Sequence, residues 1–417
     1  MIETALQYIH PAVTAVFDGF LLMAIGVSAI LFLITLTVIF HRGRSEEKPI
    51  DPAKAPAVTV QIPTKNEIVA LRCARKCLRS DYPSERLQIL IGDDSDQPLI
   101  SKELDAFAAA HPRVEVIRRE NPAGFKPGNL NAMLKKSRGE IIVIFDSDFI
   151  PDADFIRRIV APFINDPETA SVQARWDFID PGKNLATVLG AAMGYSFHRV
   201  FLPFLNIFGS SFICGSAEAV RKSVLLELGG WRPGILTEDI EFSLRMIRAG
   251  RKMRYLPELR CLNELPRTIG DLYRQQMRWA HGVISAYLIH FRGIWVNASL
   301  RLSKKFFAMF SGLGYLFPVL IYGLIVTSLI KIITSPPAPV AAGEVIGETV
   351  RNVLLTSGLL FMSTVAIWRA GESRLFFRML LSAFTIGLVM IYFVLKGIIT
   401  ALRRRPMDWF LVEKSTG

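Results

Sequence analysis

The uncharged apolar run from Gly19 to Phe40 constrains the fold more than any other feature of the sequence. About 20 apolar residues, each adding 1.5 Å of helix rise, span the hydrocarbon core of a bilayer, so this run predicts a transmembrane helix. A cleaved signal peptide would have a basic start and a shorter apolar run. No Lys or Arg precedes the run, whereas Arg42, Arg44 and Lys48 follow it. The positive-inside rule therefore predicts an external N-terminus and a cytoplasmic segment after Lys48.

Further apolar runs lie near the C-terminal end, at Phe306 to Ile330, Asn352 to Trp368 and Met379 to Leu395. The loop 335–349 contains neither Lys nor Arg, which fits an external position between the first two runs. A full crossing by the third run would place Arg403 to Arg405 outside, against the charge rule. Either the third run is interfacial or re-entrant, or the rule fails here; we favour a cytoplasmic C-terminus.

The composition excludes several classes of protein. The chain has 417 residues, 51% of them hydrophobic and 21% charged, which excludes a disordered or collagen-like chain. Its net charge of +12 is compatible with nucleic acid, an anionic membrane surface or a phosphorylated substrate. The four cysteines contain no CxxC pair, so we expect reduced thiols in the cytosol: Cys73, Cys77, Cys214 and Cys261.

Residues 57 to about 265 alternate short β-branched runs with helical patterns, which predicts a parallel sheet built from βαβ units. The expected strands are Val58 to Ile62, Leu87 to Ile91, Val114 to Ile117 and Ile141 to Phe145. Polar clusters follow the first, second and fourth strands: residues 63–67, 93–96 and 146–148. Ligands of open α/β sheets bind at the carboxyl ends of strands, so these clusters are expected to share one crevice.

The clusters are rich in carboxylates and lack the glycine motifs of dinucleotide and P-loop sites, which argues against an oxidoreductase or a P-loop NTPase. Asp146 and Asp148 suit a hard cation, Mg²⁺ or Mn²⁺, that bridges to substrate phosphates. A turn or capping role explains an isolated DxD equally well. Lys126 precedes a predicted helix that opens near Asn129, a position suited to a diphosphate.

Two further segments have both an ordinary and a functional interpretation. Thr237, Glu238 and Asp239 are explained by simple N-capping, with acidic residues complementing the helix dipole. Gln275, Arg278 and Trp279 share one helix face, as they also would on a surface helix. The segment from Leu185 to Phe212 is apolar but interrupted, and we expect an amphipathic helix on the membrane surface.

Together these segments resemble the processive family 2 glycosyltransferases, and most closely their cellulose synthase-like group. The motifs that carry the resemblance occur in family order: Asp93-Asp94, the DxD of Asp146 and Asp148, Phe212 to Ser216, the TED of Thr237 to Asp239, and the QxxRW of Gln275 to Trp279. The segment 172–176 and the ending 408–414 are most similar to plant mannan and xyloglucan-backbone synthases. The resemblance covers residues 57 to about 300 well, and the membrane segments only by general plan.

The resemblance implies a GT-A fold: a Rossmann-like α/β cytosolic domain, joined to α-helical transmembrane segments and amphipathic interface helices. It implies that the nucleotide-sugar donor contacts Thr64, Glu67, Asp93, Asp94, Lys126, Asp146, Gln275, Arg278 and Trp279. Asp146 and Asp148 are expected to hold Mg²⁺ or Mn²⁺. Asp239 is expected to be the general base, and the acceptor is expected to contact Cys214, Gly215, Glu238 and Trp279.

One departure concerns the C-terminal tail. The family gating-loop pattern FxVTxK corresponds here to Trp409, Leu411, Val412 and Lys414, so a valine replaces the family threonine. A threonine hydrogen bond to phosphate cannot form, and either Lys414 alone supports the loop or the tail is not a gate.

The expected domains are a transmembrane helix in 1–48, a cytosolic GT-A domain in 49–300, a transmembrane region in 301–402, and a basic tail resembling a degenerate gating loop in 403–417. We predict an inverting, metal-dependent hexosyltransferase of the plasma membrane. It would use UDP-glucose or GDP-mannose to extend a β-1,4-glucan or mannan, and nucleic acid is not an expected partner. The alternative is a single transfer to a membrane lipid, and the sequence leaves the oligomeric state open.

Overall fold

The computed structural model describes residues 2–41, 50, 54–335 and 342–407. The chain begins with one long helix, α1 (Ile2–Phe40), which contains the predicted first membrane span. The tail residues expected to resemble a gating loop, 408–414, lie outside the described residues.

The central element is a 7-stranded sheet with the order β3-β2-β1-β4-β6-β5-β7. Its strands are β1 (Val58–Thr64), β2 (Leu87–Asp93), β3 (Val114–Arg118), β4 (Ile141–Ile144), β5 (Thr169–Phe178), β6 (Glu218–Arg221) and β7 (Lys252–Asn263). All four strands expected from the sequence are present, within two residues at each end.

The sheet is mixed rather than wholly parallel. β6 pairs antiparallel with both β4 and β5, whereas β1, β2, β3 and β4 run parallel, and β5 runs parallel to β7. The expectation of a purely parallel sheet was therefore wrong at β6, whose sequence Glu-Ala-Val-Arg is too short to produce a strand pattern. Because β6 reverses between two strands of the same direction, the carboxyl ends of β1, β2, β4, β5 and β7 share one edge.

Helices cover both faces of the sheet. The helices of the globular part are α2 (Ala70–Leu78), α3 (Pro98–Ala109), α4 (Phe125–Lys136), α5 (Phe155–Asn165), α6 (Leu185–Ser196), α7 (Leu202–Ile207), α8 (Lys222–Glu227), α9 (Glu238–Arg248) and α10 (Ile269–Trp295). Cys73 of α2, Leu104 of α3 and Ile159 of α5 belong to one buried apolar cluster. Leu130 of α4, Phe242 of α9 and Ala286 of α10 belong to a second cluster, on the other face.

The segment expected to be one amphipathic surface helix is instead largely buried. A π-helical turn at Phe197–Phe201 joins α6 to α7, and the helix ends at Ile207. Val188, Ala191 and Ala192 of α6 pack in a cluster with residues of α1 and of the C-terminal helices. Of the polar interruptions that suggested a membrane surface, His198 is 1% exposed and Arg199 pairs with Asp177 over 2.9 Å.

The C-terminal helices are α11 (Leu302–Gly312), α12 (Leu316–Thr334), α13 (Ala342–Leu355), α14 (Gly358–Arg369), α15 (Phe376–Phe384) and α16 (Ile386–Leu402). Among the described residues, two helical segments are long and apolar enough to cross a membrane, Ile9–Phe40 and Phe317–Thr334. The number rises to four if each of two bent helix pairs is one span. These segments indicate an integral membrane protein.

Both bent pairs coincide with the later apolar runs of the sequence. The α13 and α14 segments meet at 58°, and the α15 and α16 segments at 55°, so each pair forms a broken span or a re-entrant loop. The run from Met379 to Leu395 is therefore not one straight helix, because it is divided at Thr385. The conflict with the positive-inside rule arose because this run was assumed to cross the membrane as one straight helix. The break removes that assumption.

Candidate active site

A cavity of about 710 Å³ opens at the shared edge of the sheet, between the strand ends and the helices α6, α9 and α10. We call it the central cavity. Its walls include every residue that the sequence singled out for donor, metal, acceptor or catalysis except Asp93: Thr64, Glu67, Asp94, Lys126, Asp146, Asp148, Cys214, Gly215, Glu238, Asp239, Gln275, Arg278 and Trp279. Side chains separated by more than 200 residues of sequence therefore meet in one space.

The β1 and β2 ends form one wall of the central cavity. The backbone N–H of Asp94 donates to the carbonyl of Thr64 over 3.0 Å, which joins the two strand ends. The carboxylate of Asp94 accepts two hydrogen bonds from the guanidinium of Arg119. Ser147, within the DxD, donates to the carboxylate of Glu67. The bond from Ser147 to Glu67 thus connects this wall to the DxD.

Asp93 lies behind this wall. It is 3% exposed, and its Oδ2 accepts from Ser101 over 2.7 Å and from Arg118 over 2.8 Å. Burial would raise the pKa of Asp93, but hydrogen bonds from Ser95, Ser101 and Arg118 hold it below its usual value. The structure therefore gives Asp93 contacts that fix the end of β2, and does not place it with the other predicted donor residues.

Lys126 is the cation at the centre of the site. It lies in the first turn of α4, which begins at Phe125 after Gly124 with a φ of 82°, earlier than the predicted start near Asn129. Its Nζ lies 2.8 Å from Asp146 Oδ1 and 3.0 Å from Glu238 Oε1. Burial lowers the pKa of Lys126, but the two carboxylates more than offset this and raise it above its ordinary value. Lys126 therefore joins the DxD to the TED while remaining charged.

Asp239 has the electrostatic environment of a proton acceptor. Burial and the adjacent carboxylate of Glu238 raise the pKa of Asp239 to about 7, while Lys126 opposes the shift. A carboxyl group with this pKa exchanges protons close to neutral pH, which is where a general base works best. Thr237, expected to cap α9, does not do so, because its side chain makes no cap hydrogen bond.

The backbone of the loop 214–217 lies against the side chains of Lys126 and Asp239. Gly215 has a φ of 82°, and a Cβ built there would lie 3.3 Å from Lys126 Nζ and 3.4 Å from Asp239 Oδ2. Lys126 also donates to the carbonyl of Gly215 over 2.6 Å. A side chain at this position would be strained and would crowd both charged groups, which explains the glycine in the predicted acceptor motif.

Sequence reasoning missed the residues that hold this loop. Gln173 accepts from the N–H of Cys214 over 2.7 Å, and Trp176 Nε1 donates to the carbonyl of Ser216 over 2.9 Å. Glu218, 1% exposed, accepts from the N–H of Gly215 over 2.6 Å. The segment 172–176 was singled out only by resemblance, and the single signal for Glu218 was its position two residues after the motif.

The QxxRW residues of α10 close the cavity opposite the strand ends. Gln275, Arg278 and Trp279 all line it, as their spacing on one helix face predicted. Burial lowers the pKa of Arg278, and the carboxylates of Glu238 and Asp146 counteract this. Because a guanidinium stays protonated in proteins, Arg278 supplies a second cation to the site.

The DxD has the chemistry of a partial metal site. Asp146 and Asp148 both line the cavity, and Asp148 Oδ2 accepts from the N–H of Glu264 over 3.3 Å. No group of three or more His, Cys, Asp or Glu side chains suited to a metal occurs among the residues that the structure describes. Two carboxylates that leave the remaining positions to phosphate and water fit Mg²⁺ or Mn²⁺, since these ions bind mainly through substrate phosphates.

Comparison with known proteins agrees with this geometry. The family model described as glycosyltransferase like family 2 matches residues 55–282, more than half of the chain. The chain belongs to this family. The resemblance inferred from the motifs is thereby confirmed.

Within the family, the chain is similar to plant enzymes. It is 32% identical over 302 residues to glucomannan 4-beta-mannosyltransferase 9 of Arabidopsis thaliana, covering 67% of this chain and 56% of that protein. It is 31% identical over 277 residues to glucomannan 4-beta-mannosyltransferase 2 of the same plant, covering 64% of this chain and 52% of that protein. The chain thus spans about half the length of the curated relatives that it matches.

The fold agrees over almost the whole chain with a mannosyltransferase from Pyrobaculum calidifontis in complex with GDP-mannose and Mn²⁺. The TM-score is 0.62, and the alignment covers 95% of this chain and 99% of that one at 17% identity. The expected fold class, a GT-A domain with membrane helices, is confirmed.

Proposed function

We propose that this protein is an inverting, metal-dependent glycosyltransferase that transfers mannose from GDP-mannose to the end of a β-1,4-linked polysaccharide. The observation that carries the proposal is that Asp148, Lys126 and Asp239 open onto one cavity, with Lys126 paired to Asp146 and Glu238. The choice of mannose is supported by the names of the plant relatives. UDP-glucose, and hence a β-1,4-glucan, is the competing donor.

The proposed reaction is a single displacement. The acceptor hydroxyl attacks the anomeric carbon of the donor, and its proton passes to the carboxylate of Asp239 as the new glycosidic bond forms. The bond between the anomeric carbon and the diphosphate oxygen breaks, and its electron pair leaves with the nucleoside diphosphate. Attack from the face opposite the leaving group converts an α-linked donor into a β-linked product.

The leaving diphosphate needs positive charge around it. Asp146 and Asp148 would hold a divalent cation, which when bound neutralises developing charge on the phosphate oxygens. Lys126 and Arg278 supply fixed cations on the other sides, and their burial strengthens this electrostatic effect. Gln275 and Trp279 of α10 would orient the donor and the acceptor sugar, with Cys214, Gly215 and Glu238 beside the acceptor.

A second acceptor class is favoured by one part of the central cavity. Its lining includes Met193 of α6, Val283 and Tyr287 of α10, and Tyr315 just before α12, all on helices that pack with the membrane region. An apolar wall of this kind would suit the chain of a lipid-linked acceptor. A single transfer to a lipid is therefore the second candidate.

Purified full-length protein in nanodiscs tests these proposals. GDP-mannose and UDP-glucose would be offered separately with Mn²⁺ or Mg²⁺, followed by linkage analysis and by partition of labelled product between water and organic solvent. The proposal expects β-1,4-mannosyl product from GDP-mannose, abolished by EDTA and restored by Mn²⁺. Product in the organic phase would favour the lipid acceptor, and transfer that retains the α configuration would refute the inverting mechanism.

The proposed placement follows from the charge pattern and the helices. The glycosyltransferase domain would face the cytoplasm beneath the plasma membrane, after the first span, because the basic residues Arg42, Arg44 and Lys48 follow that span. We propose the boundaries 1–48, 49–300, 301–402 and 403–417 for the four segments described above.

A further inference from the structure

The chain from Leu272 to Gly343 contains no Asp or Glu, although it contains several cations. Four of these cations lie around the end of α10 and the start of α11: Arg292, Arg301, Lys304 and Lys305. None of the four lines the central cavity, so the proposed reaction does not use their charge. A run of cations without acids between them is suited to an anionic partner.

The folded chain gathers these cations on one surface. The guanidinium of Arg248, the last residue of α9, lies against α10, since a Cβ at Gly293 would be 3.2 Å from its Nε. Arg248 therefore lies at the turn of α10 that carries Arg292. Lys305 Nζ donates to the carbonyl of Trp295 over 2.7 Å, which brings the start of α11 to the same place. We call this surface the basic patch: Arg248, Arg292, Arg301, Lys304 and Lys305.

Large apolar side chains are exposed beside the same cations. Phe291, Trp295, Leu302 and Phe306 are each more than half exposed. The rings of Phe291 and Trp295 lie parallel, with their centroids 6.3 Å apart. Ala308 of α11 belongs to a buried cluster, so α11 has one face inside the protein and another outside it. Exposed apolar side chains next to cations indicate an interaction surface rather than an ordinary solvated face.

The position of the basic patch favours a membrane as its partner. After α11 the chain makes a short turn at Leu313–Tyr315 and enters α12, which contains the candidate span Phe317–Thr334. Aromatic side chains beside a span lie at the level of the lipid headgroups, and Lys and Arg there reach the phosphates. A soluble polyanion would neutralise the cations but leave the apolar side chains in water. An anionic phospholipid satisfies both.

We propose that the basic patch binds the phosphate groups of anionic phospholipids at the membrane surface. Each Lys or Arg near such a surface strengthens the attraction by about fivefold. Because α10 carries the basic patch at one end and the QxxRW nearer the other, the bound lipid holds the same helix that lines the central cavity. This inference is independent of the proposed function, since a lipid binds without any nucleotide sugar.

Quenching of Trp295 fluorescence by brominated lipids tests the proposal. The full-length protein is reconstituted in phosphatidylcholine bilayers that contain either brominated phosphatidylglycerol or brominated phosphatidylcholine. The signal of Trp295 is the difference between the protein and its Trp295→Phe variant. Phosphatidylglycerol is expected to be preferred at Trp295 by at least about fivefold, the effect of one cation. This preference should fall as salt is added, because exposed charges are screened.

The main variant combines Arg292→Gln, Arg301→Gln and Lys304→Gln. Arg248 and Lys305 are kept, because both also contact α10. The combined variant is expected to bring the two lipids to within about twofold of equal association. Arg301→Gln alone, at an exposed position outside both helices, should lower the preference by about two- to fivefold and is the variant least able to disturb the fold.

The control removes three exposed cations from the globular part of the chain, by combining Arg79→Gln, Lys102→Gln and Lys135→Gln. It loses the same charge as the main variant and should keep the wild-type lipid preference. Melting temperatures in detergent equal to that of the wild type show that the variants are folded.

Three results would overturn the inference. The first is equal quenching of wild-type Trp295 by the two lipids. The second is a preference that survives the combined substitution or falls as much in the control, because net charge would then explain it. The third is a wild-type dimer that becomes a monomer in the combined variant, without any lipid preference, which would assign the basic patch to a second copy of this chain.

Discussion

Replacing Asp239 with Asn tests the proposed general base most directly. The amide has nearly the shape of the carboxyl group but cannot accept the acceptor proton at any accessible pH. Transfer is expected to fall by about 100- to 10,000-fold, the usual contribution of a positioned general base. Donor binding is expected to persist, because Lys126 and Arg278 remain and one repulsive carboxylate has been removed.

The raised pKa of Asp239 sets the pH dependence of this prediction. The base must be ionised to act, so wild-type kcat/KM should rise with pH up to about 7, the pKa of Asp239, and then level off. The residual activity of Asp239→Asn should lack this rise.

The same pKa predicts an effect on stability. The difference between 3.8 and about 7 corresponds to about 4 kcal/mol of free energy, to order of magnitude. Because the folded-state pKa is raised, this stabilisation is complete below about pH 4 and is lost as the pH rises through about 7. Asp239→Asn removes the ionisation, so its melting temperature in detergent should exceed that of the wild type at pH 8.

The control is Asp154→Asn, which makes the same chemical change at the start of α5. Asp154 is not among the residues that line the central cavity, and its half-buried side chain pairs with Arg158 over 3.4 Å at the protein surface, so neither activity nor pH profile should change. Wild-type turnover by Asp239→Asn would remove Asp239 from the mechanism. A lower melting temperature at pH 8 would contradict the electrostatic account.

Two further substitutions test the surroundings of the site. Lys126→Met removes the cation that lowers the pKa of Asp239, so the rise of kcat/KM with pH should move to higher pH. Lys126→Arg keeps a cation and should keep most of the wild-type profile. If neither variant moves the profile, this coupling is refuted. Glu241→Gln should destabilise the protein by about 3 to 5 kcal/mol, seen as a lower melting temperature, because the fully buried carboxylate of Glu241 bonds both Arg245 and His290. A melting temperature equal to the wild type would show that this buried pair contributes nothing.

The sequence predicted the parts of the fold that have a strong local pattern. The four β-branched runs became β1 to β4 nearly at their predicted bounds, and two apolar runs became long helices. β6 was missed because its direction is determined by pairing with β4 and β5, not by its own four residues. The sequence left open a re-entrant third run but did not predict the break at Thr385, because no proline marks it within an apolar run.

In the candidate site, too, the sequence predicted the residues that belong to a motif and missed those that do not. Residues carried by motifs, such as Asp146, Asp239 and Arg278, were predicted to meet and do line one cavity. Glu218 was not predicted, because it matters through a contact made by the folded chain, the hydrogen bond that it accepts from the N–H of Gly215. This contact leaves no spacing pattern in the sequence.

The membrane region also determines the geometry of the site, because helix α16 packs directly against the helix that carries the QxxRW. A Cβ at Gly397 would lie 2.4 Å from the carbonyl oxygen of Met277, the residue before Arg278. His281 Nε2, one turn further along α10, lies 3.0 Å from the carbonyl oxygen of Arg405, just after α16. A backbone approach this close leaves no room for a side chain, so any displacement of α16 must move the turn that presents Arg278 and Trp279. The position of Arg278 in the central cavity is therefore set by the packing of α16 as well as by the sheet.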